Sequence, residues 1–520
     1  MTQQLELTLP ATGRRPLEDV ALRLNPSDHV AVARVPLGKG LVLETPDGDI
    51  EVRQSIPTGH KIALVGRDAG DPIRRYGHII GFASDPIDPG EHVHTHNLHV
   101  GQLQHDYAFG QDARPVNLVP EAERRTFLGY RRPDGRAGTR NFLAVISSVN
   151  CSASVSRYVA ERFRGDALRD FPNVDGVIAL THKGGCGAHY GSSEVDLLQR
   201  TLAGFARHPN VAGYVLIGLG CEVNQIPDIV GRQGLGNPLS LIIQDEGGLV
   251  ETVEAGVAAV EALLPQANAW ERRPIPASEL VVALQCGGSD AWSGVTANPA
   301  LGRAADLVVE QGGTVVLAET TEVYGAEDML TRRAVSEEVG RKLLARIRWW
   351  ERYVAINGAE IDNNPAPGNK LGGLTTIYEK SLGAIAKSGT SPLTDVLEYA
   401  EPVRTRGFVH MDSPGFDPVS VTGQVAAGCN VVCFTTGRGS VFGCRPAPSI
   451  KIATNSPLYR KMAGDMDVDA GRILDRASID DIGREIFELI LRVASGEPTK
   501  SERHGIGEEE FNPWIRGAVL

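Results

Sequence analysis

The sequence is short of several things, and each shortage narrows the field. Aromatic residues make up only 6% of it, and seven cysteines are scattered over 520 positions. So few cysteines, and an odd number of them, exclude a disulfide framework and point to a reducing compartment. No apolar run approaches the roughly 18 residues that read as a membrane span. The first residues, MTQQLELTLPATGRRP, lack the basic-then-apolar order and the small-residue cleavage site of a secretory signal. A cytoplasmic location is therefore expected. Positive charge is also scarce: 52 Lys and Arg stand against 64 Asp and Glu, a net charge of −12. That balance disfavours a nucleic-acid or anionic-membrane partner, which would call for a basic surface.

What the chain has instead is glycine, 59 residues of it, with 31 prolines. These are clustered beside polar residues, the pattern of tight turns and of backbone that approaches a ligand closely. Residues 27–100 read as a small β-rich module, with HVAVARV, DIEVRQSI, HKIALVG and EHVHTHNL as β-branched or alternating runs. Residues 101–125 turn polar and irregular and read as a linker. Apolar runs at 142–149, 175–181, 213–219, 280–285, 313–318, 406–411 and 430–435 follow. Helical periodicity separates several of them, as in parallel β/α units buried on both faces. Two helices are expected, over 331–354 and over 478–495, the latter opening on Ser478 and Asp481 in capping-box spacing. A polar stretch near 265–280 divides this part into two α/β lobes, 126–272 and 273–520. The fold class is thus α/β, with an N-terminal β module and two α/β lobes.

In open α/β sheets ligands bind beyond the carboxyl ends of the strands, and here those ends carry chemistry. The runs lead into Cys151, into His182 and the turn around Cys186, into Cys221 and Glu222, and into Cys286, Ser289 and Asp290. Two later ones lead into Glu319 and Glu322 and into Thr436 and Arg438. The cysteines follow strands singly, which is not a zinc-ribbon arrangement; three of them could meet around an iron–sulfur cluster. On a strand, His92, His94 and His96 would share one face, an arrangement suited to a divalent transition metal. Two loops suit a small anion: the one holding Asn369 and Lys370, and Thr435–Ser440 with the guanidinium of Arg438. Neither is a P-loop, and no dinucleotide fingerprint opens a helix after a strand.

Taken in order, GHKIAL, GEHVHTHN, IGLGCE, CGGSDAWSGVTANP, PAPGNKLGGLTT and FTTGRGS resemble the altronate/galactarate dehydratase family of sugar-acid dehydratases over nearly the whole chain. The resemblance implies an N-terminal SAF-type module, a Rossmann-like first lobe and a C-terminal α/β lobe. It also implies iron(II)-dependent loss of water from an aldonic or aldaric acid, giving a 2-keto-3-deoxy acid. The histidine segment is similar to the altronate branch, whereas the turn Gly184–His189 and the stretch FGCRPAPSIK depart from it.

Such a dehydration needs a base for the proton beside the carboxylate, stabilisation of the enediolate, and help for the departing hydroxyl. The expected roles are His94 and His96, with Cys186 or Cys221, on iron(II), with Mn2+ or a cluster as alternatives. Arg438 and Lys370 are expected on carboxylate and Asn369 on a hydroxyl, with Thr436, Ser289 and Asp290 completing the substrate site. His182 or Lys61 is the expected base and Glu222 the expected acid. Rival readings are an iron–sulfur hydro-lyase, a sulfo-lyase acting on a related hydroxy acid, and a sugar-acid sensor without turnover. The expected partner is a small sugar acid, with a homo-oligomer a compatible assembly, and neither nucleic acid nor membrane is expected.

Overall fold

The computed structural model describes residues 11–517. The N-terminal module holds three small sheets. One joins Arg14–Pro16, Val42–Glu44 and Ile50–Glu51, and a second orders Ala21–Leu22, Val30–Ala33, Lys61–Ala63 and His92–Val93. The third pairs Pro72–Arg75, His78–Ala83 and Leu98–His99. The module starts before residue 27, because Arg14–Pro16 pairs in parallel with Val42–Glu44. Three residues reading Arg-Arg-Pro carry no strand signal, so only tertiary pairing could reveal them. Leu37, Leu41, Leu43, Val52 and Ile62 give the module a core of its own. Its other face, Val30, Ile73, Ile80 and Leu98, is continuous with the core of the C-terminal lobe.

The polar stretch after the module has no strand and only one short 3-10 turn, Glu121–Glu123. It is nonetheless strapped down: Gly110 and Asp112 donate backbone N–H groups to Thr331 and Arg332 at 3.1 and 2.8 Å, and the Tyr107 hydroxyl reaches Glu327 at 2.8 Å.

The first α/β lobe is a four-stranded parallel sheet ordered Gly176–Leu180, Phe142–Ser147, Val211–Gly218, Leu239–Ile242. Ala153–Glu161 and Leu249–Asn268 cover one face, and Ser193–Ala206 the other. Strand Thr126–Arg131, ahead of this sheet, pairs antiparallel with Arg273–Pro276, which opens the next lobe.

The C-terminal lobe carries a seven-stranded parallel sheet. Its order is Leu393–Leu397, Gly407–Met411, Thr314–Leu317, Val281–Cys286, Val431–Thr436, Ser449–Ala453, Val468–Asp469. All seven apolar runs picked out above are strands. The expected helices form at Glu337–Ile356 and Ile479–Ala494, the second with its capping box in place. Going outward from Val281–Cys286, the chain runs one way through earlier strands and the other way through later ones. The order therefore reverses between that strand and Val431–Thr436, which is where an open α/β sheet opens a crevice at its carboxyl edge. No helix among the described residues is long and apolar enough to cross a membrane.

Candidate functional site

The reversal point sets Ser289 and Asp290, which follow one central strand, against Thr436 and Arg438, which close its neighbour. Gly437 and Arg438 both donate backbone N–H groups to Gly288 O, at 3.1 and 2.8 Å. Asp290 is fully enclosed and accepts from the Trp292 N–H, the Ser293 hydroxyl, the Thr454 hydroxyl and the Asn455 amide. Burial pushes its carboxyl up, and those hydrogen bonds pull it back. Gly437 makes this approach possible: a Cβ there would stand 2.1 Å from Asp290 Cγ. Gly437→Ala is accordingly expected to cost about 1–3 kcal/mol through overpacking and to lower turnover by displacing Asp290. An unaltered melting temperature and turnover would show that the carboxylate is free to move aside.

The short helix Pro367–Leu371 lies over this pair of strand ends. The Asn369 amide donates to Ser289 O at 2.8 Å, while a Cβ on Gly372 would lie 3.0 Å from Asp290 Cβ and 3.3 Å from Arg438 Cδ. The next residue, Gly373, sits at φ +98°, and a Cβ there would be 2.3 Å from Gly59 O of the N-terminal module. Segment 369–373 is therefore sandwiched between the module and the C-terminal strand ends.

From the module, histidines clamp the same segment. His60 Nε2 bonds Leu371 O at 3.2 Å and His94 Nε2 bonds Lys370 O at 2.9 Å. His60 Nδ1 meets His92 Nε2 at 3.0 Å. Burial lowers His92 to about 3 and His94 to about 4, with neighbouring imidazoles and Lys61 adding to the effect. Neutral rings fix the tautomers. With Nε2–H donated to Leu371 O, His60 accepts from His92 through Nδ1, which leaves the lone pair of His92 Nδ1 free of that chain. His96 is exposed at the outer edge of the group, its ring 5.4 Å from that of His92.

Other expected residues are placed differently. Lys61 is fully buried, with its ammonium 2.9 Å from Glu379 Oε2 and 2.7 Å from Gly373 O. Arg75 grips the other oxygen of Glu379 and donates to Ala291 O at 2.8 Å. Lys61 thus ties the module to the C-terminal lobe, and burial lowers its ammonium to about 8 against the opposing pull of Glu379. His182 lies in the first lobe; its Nδ1 accepts from Gly184 N at 3.2 Å and its Nε2 is 3.0 Å from Ser147 O, so both nitrogens are spoken for. Burial lowers it to about 4. Glu222 accepts from Ser148 Oγ, Leu219 N and Gly220 N, fixing its own turn. Each of these expected acid–base side chains is thus also engaged in its own surroundings, with Glu222 Oε2 keeping acceptor capacity beyond its bond from Gly220 N.

The expected iron ligands also part company. Cys186 and Cys221 are exposed at the carboxyl edge of the first lobe's sheet, beside Cys151, while His94 faces the 369–373 segment. Among the described residues, one group of three His, Cys, Asp or Glu donors has its atoms within 4.8 Å of one another: Cys286, Glu319 and Glu322. Around it stand Lys380, Lys387 and Asp417, which sequence reading passed over. The available signal was two lysines seven residues apart, two helical turns, inside the stretch 377–388, where Glu379 is the one other charged residue.

This site, at the reversal point of a parallel sheet and lidded by a β module, is matched by three family models in chain order. They are the altronate/galactarate dehydratase SAF domain at 19–101, the D-galactarate dehydratase/altronate hydrolase second domain at 129–268, and the D-galactarate/altronate dehydratase C-terminal domain at 277–519. Fold, site and these matches define an enzyme of the hydro-lyase class. An altronate dehydratase of Bacillus subtilis is 37% identical over 94% of this chain and 97% of its own length. A galactarate dehydratase (L-threo-forming) of Escherichia coli is 39% identical over 95% and 96%. The beta subunit of a (2R)-sulfolactate sulfo-lyase from Chromohalobacter salexigens is 34% identical over 75% of this chain and 97% of its own. The chain belongs to the altronate/galactarate dehydratase family.

Proposed function

We propose that the enzyme removes water from an aldonic or aldaric acid of the altronate or galactarate type, giving a 2-keto-3-deoxy acid. The observation that carries this reading is the meeting, at one sheet edge, of segment 369–373 with the enclosed Asp290 and the Arg438 side chain, whose Cδ lies 3.3 Å from where a Gly372 Cβ would stand. Arg438 and Lys370 hold substrate carboxylate, Arg438 through its two-pronged fork. Asn369, Ser289, Asp290 and Thr436 fix the hydroxyl-binding wall. His60 and His94 act as positioning residues, since they hold the loop carbonyls and, being neutral, add no charge.

Iron(II) does not fit the set His94, His96, Cys186 and Cys221: no three of these bring donor atoms within 4.8 Å of one another. No step is routed through an ion on those residues. A second reading, an iron–sulfur hydro-lyase, is favoured by one observation. Cys151, Cys186 and Cys221 are exposed beyond three adjacent strands, and their loops are stitched by Asn150 N to Gly184 O at 2.9 Å and Asn224 N to Gly185 O at 3.0 Å.

The test is turnover by protein reconstituted anaerobically with iron(II) on a panel of aldonic and aldaric acids, with keto product detected. Product from altronate or galactarate is the expected result. Sulfite release from sulfonated hydroxy acids, with no keto product from any sugar acid, would overturn the assignment. A visible brown chromophore lost on replacing the three exposed cysteines by serine would favour the cluster reading.

A further inference from the structure

The carboxyl ends of two neighbouring central strands of the seven-stranded sheet enclose a second group of side chains. Cys286 closes strand Val281–Cys286, and Glu319 and Glu322 follow Thr314–Leu317. All three are buried, and their donor atoms lie within 4.8 Å of one another.

Glu319 is the anomaly. It is 0% exposed, yet neither carboxylate oxygen has a hydrogen-bond partner. The nearest ammonium, Lys387 Nζ, is 3.9 Å away, beyond hydrogen-bond reach. A carboxylate taken out of water without such partners is costly. Its backbone is also held at φ +69°, a conformation that costs a non-glycine residue of order 1–3 kcal/mol and that collects at functional sites. Two unfavourable features in one enclosed residue call for a compensating group.

The neighbours are already organised. Lys387 donates to Cys286 Sγ at 2.9 Å. Lys380 bridges Glu322 Oε1 and Asn364 Oδ1, both at 2.7 Å, and the Asn364 amide returns to Glu322 at 2.8 Å. The Asp417 carboxylate packs against Gly287, where a Cβ would stand 2.0 Å from Oδ2. A cavity of about 10 Å³, lined by Cys286, Ser289, Asp290 and Lys380 among others, lies beside the thiol. It has room for about one water-sized ligand.

We propose that Cys286, Glu319 and Glu322 bind one divalent transition-metal ion. One soft sulfur and two hard oxygens select iron(II), cobalt(II), manganese(II) or zinc(II) over magnesium or calcium. The bound ion deprotonates the thiol, whose proton passes to solvent; no electron is transferred. Burial otherwise holds Cys286 as a thiol, pushed up to about 11. Lys387 and Lys380 orient Cys286 and Glu322, as outer partners of metal ligands do. Binding of the ion stands apart from the dehydratase reading; only its part in turnover rests on that reading.

The experiment is an anaerobic titration of chelator-stripped full-length protein with cobalt(II), which reports thiolate ligation through a charge-transfer band in the near ultraviolet. One equivalent is expected to bind with that band. Cys286→Ser should abolish the band, and Glu319→Gln should weaken binding by more than about 100-fold, beyond the roughly 10–100-fold typical of an outer partner. Circular dichroism and melting temperature establish that each variant folds; should Cys286→Ser not fold, Glu319→Gln and Glu322→Gln carry the test by affinity alone. The triple replacement of Cys151, Cys186 and Cys221 by Ser should keep the band. A band that survives Cys286→Ser, or is lost in the triple variant, would place the ion at the exposed cysteines and overturn the proposal, as would absence of stoichiometric binding. None of these readouts depends on identifying the substrate, so failure of the site and failure of the dehydratase reading are distinguishable.

Discussion

Glu379→Ala is expected to destabilise the protein by about 3–5 kcal/mol, the cost of breaking a buried ion pair from one side. Glu379 sits at 0% exposure between Lys61 and Arg75, themselves 0% and 1% exposed, and also accepts from Thr375 N and Oγ1. Its removal leaves two cations without their carboxylate at the joint between the N-terminal module and the C-terminal lobe. Equilibrium denaturation in urea measures the loss; a change below about 1 kcal/mol would show that water or a rearranged partner takes over. The pH dependence gives an independent check. Burial pushes Glu379 up, but Lys61 and Arg75 outweigh it and hold the carboxyl at about 2 against an ordinary 4.5. A folded-state value below the unfolded one stabilises the protein above pH 4.5, and that stability drains away as pH falls towards 2. The gap between wild type and Glu379→Ala should therefore narrow across that interval.

Arg438→Ala is expected to leave the melting temperature within error and to lower kcat/KM. Its side chain is exposed at the rim of the site, so truncation creates neither a cavity nor a stranded partner. A charge-assisted hydrogen bond to substrate carboxylate contributes about 1.5–3 kcal/mol, equivalent to about 10–150-fold in kcat/KM. Arg438→Lys should recover only part of this, because an ammonium keeps the charge and loses the two-pronged geometry. Steady-state kinetics on the sugar acid that the panel identifies makes the comparison. Activity within about twofold of wild type would move carboxylate binding away from this strand end.

Much of the architecture was legible because burial on both faces writes a parallel strand as a continuous apolar run. Phe142–Ser147, Val281–Cys286 and Val431–Thr436 are all buried at nearly every position, and each announced itself. Strands at the margin did not. Leu239–Ile242 is exposed or half-buried throughout, and Leu393–Leu397 is interrupted by Thr394 and Asp395 on a partly open edge. The capping box at Ser478 was readable because its hydrogen bonds are local, the serine and Asp481 satisfying each other's backbone N–H.

The site was legible only by residue type. Strand ends pointed to Asp290, Arg438, Glu322, His182 and Glu222 alike, because position at a strand end says nothing about what a side chain bonds next. His182 turned inward to Ser147 O, and Glu222 closed on its own turn. That Lys61 also anchors the module was hidden, since its partner Glu379 lies 318 residues further on.

By itself the sequence determined the fold class, the strands buried on both faces and the kinship with sugar-acid dehydratases, since all of these rest on periodicity, local turns and ordered motifs. Only the tertiary structure decided which histidines clamp which carbonyls, which lysine is an anchor, and that Cys286, Glu319 and Glu322 meet while Cys186 and Cys221 stand elsewhere. Hydrogen bonds and metal ligation act over about 2–3 Å, and distances of that order between residues far apart in the chain are set by how sheets and modules pack.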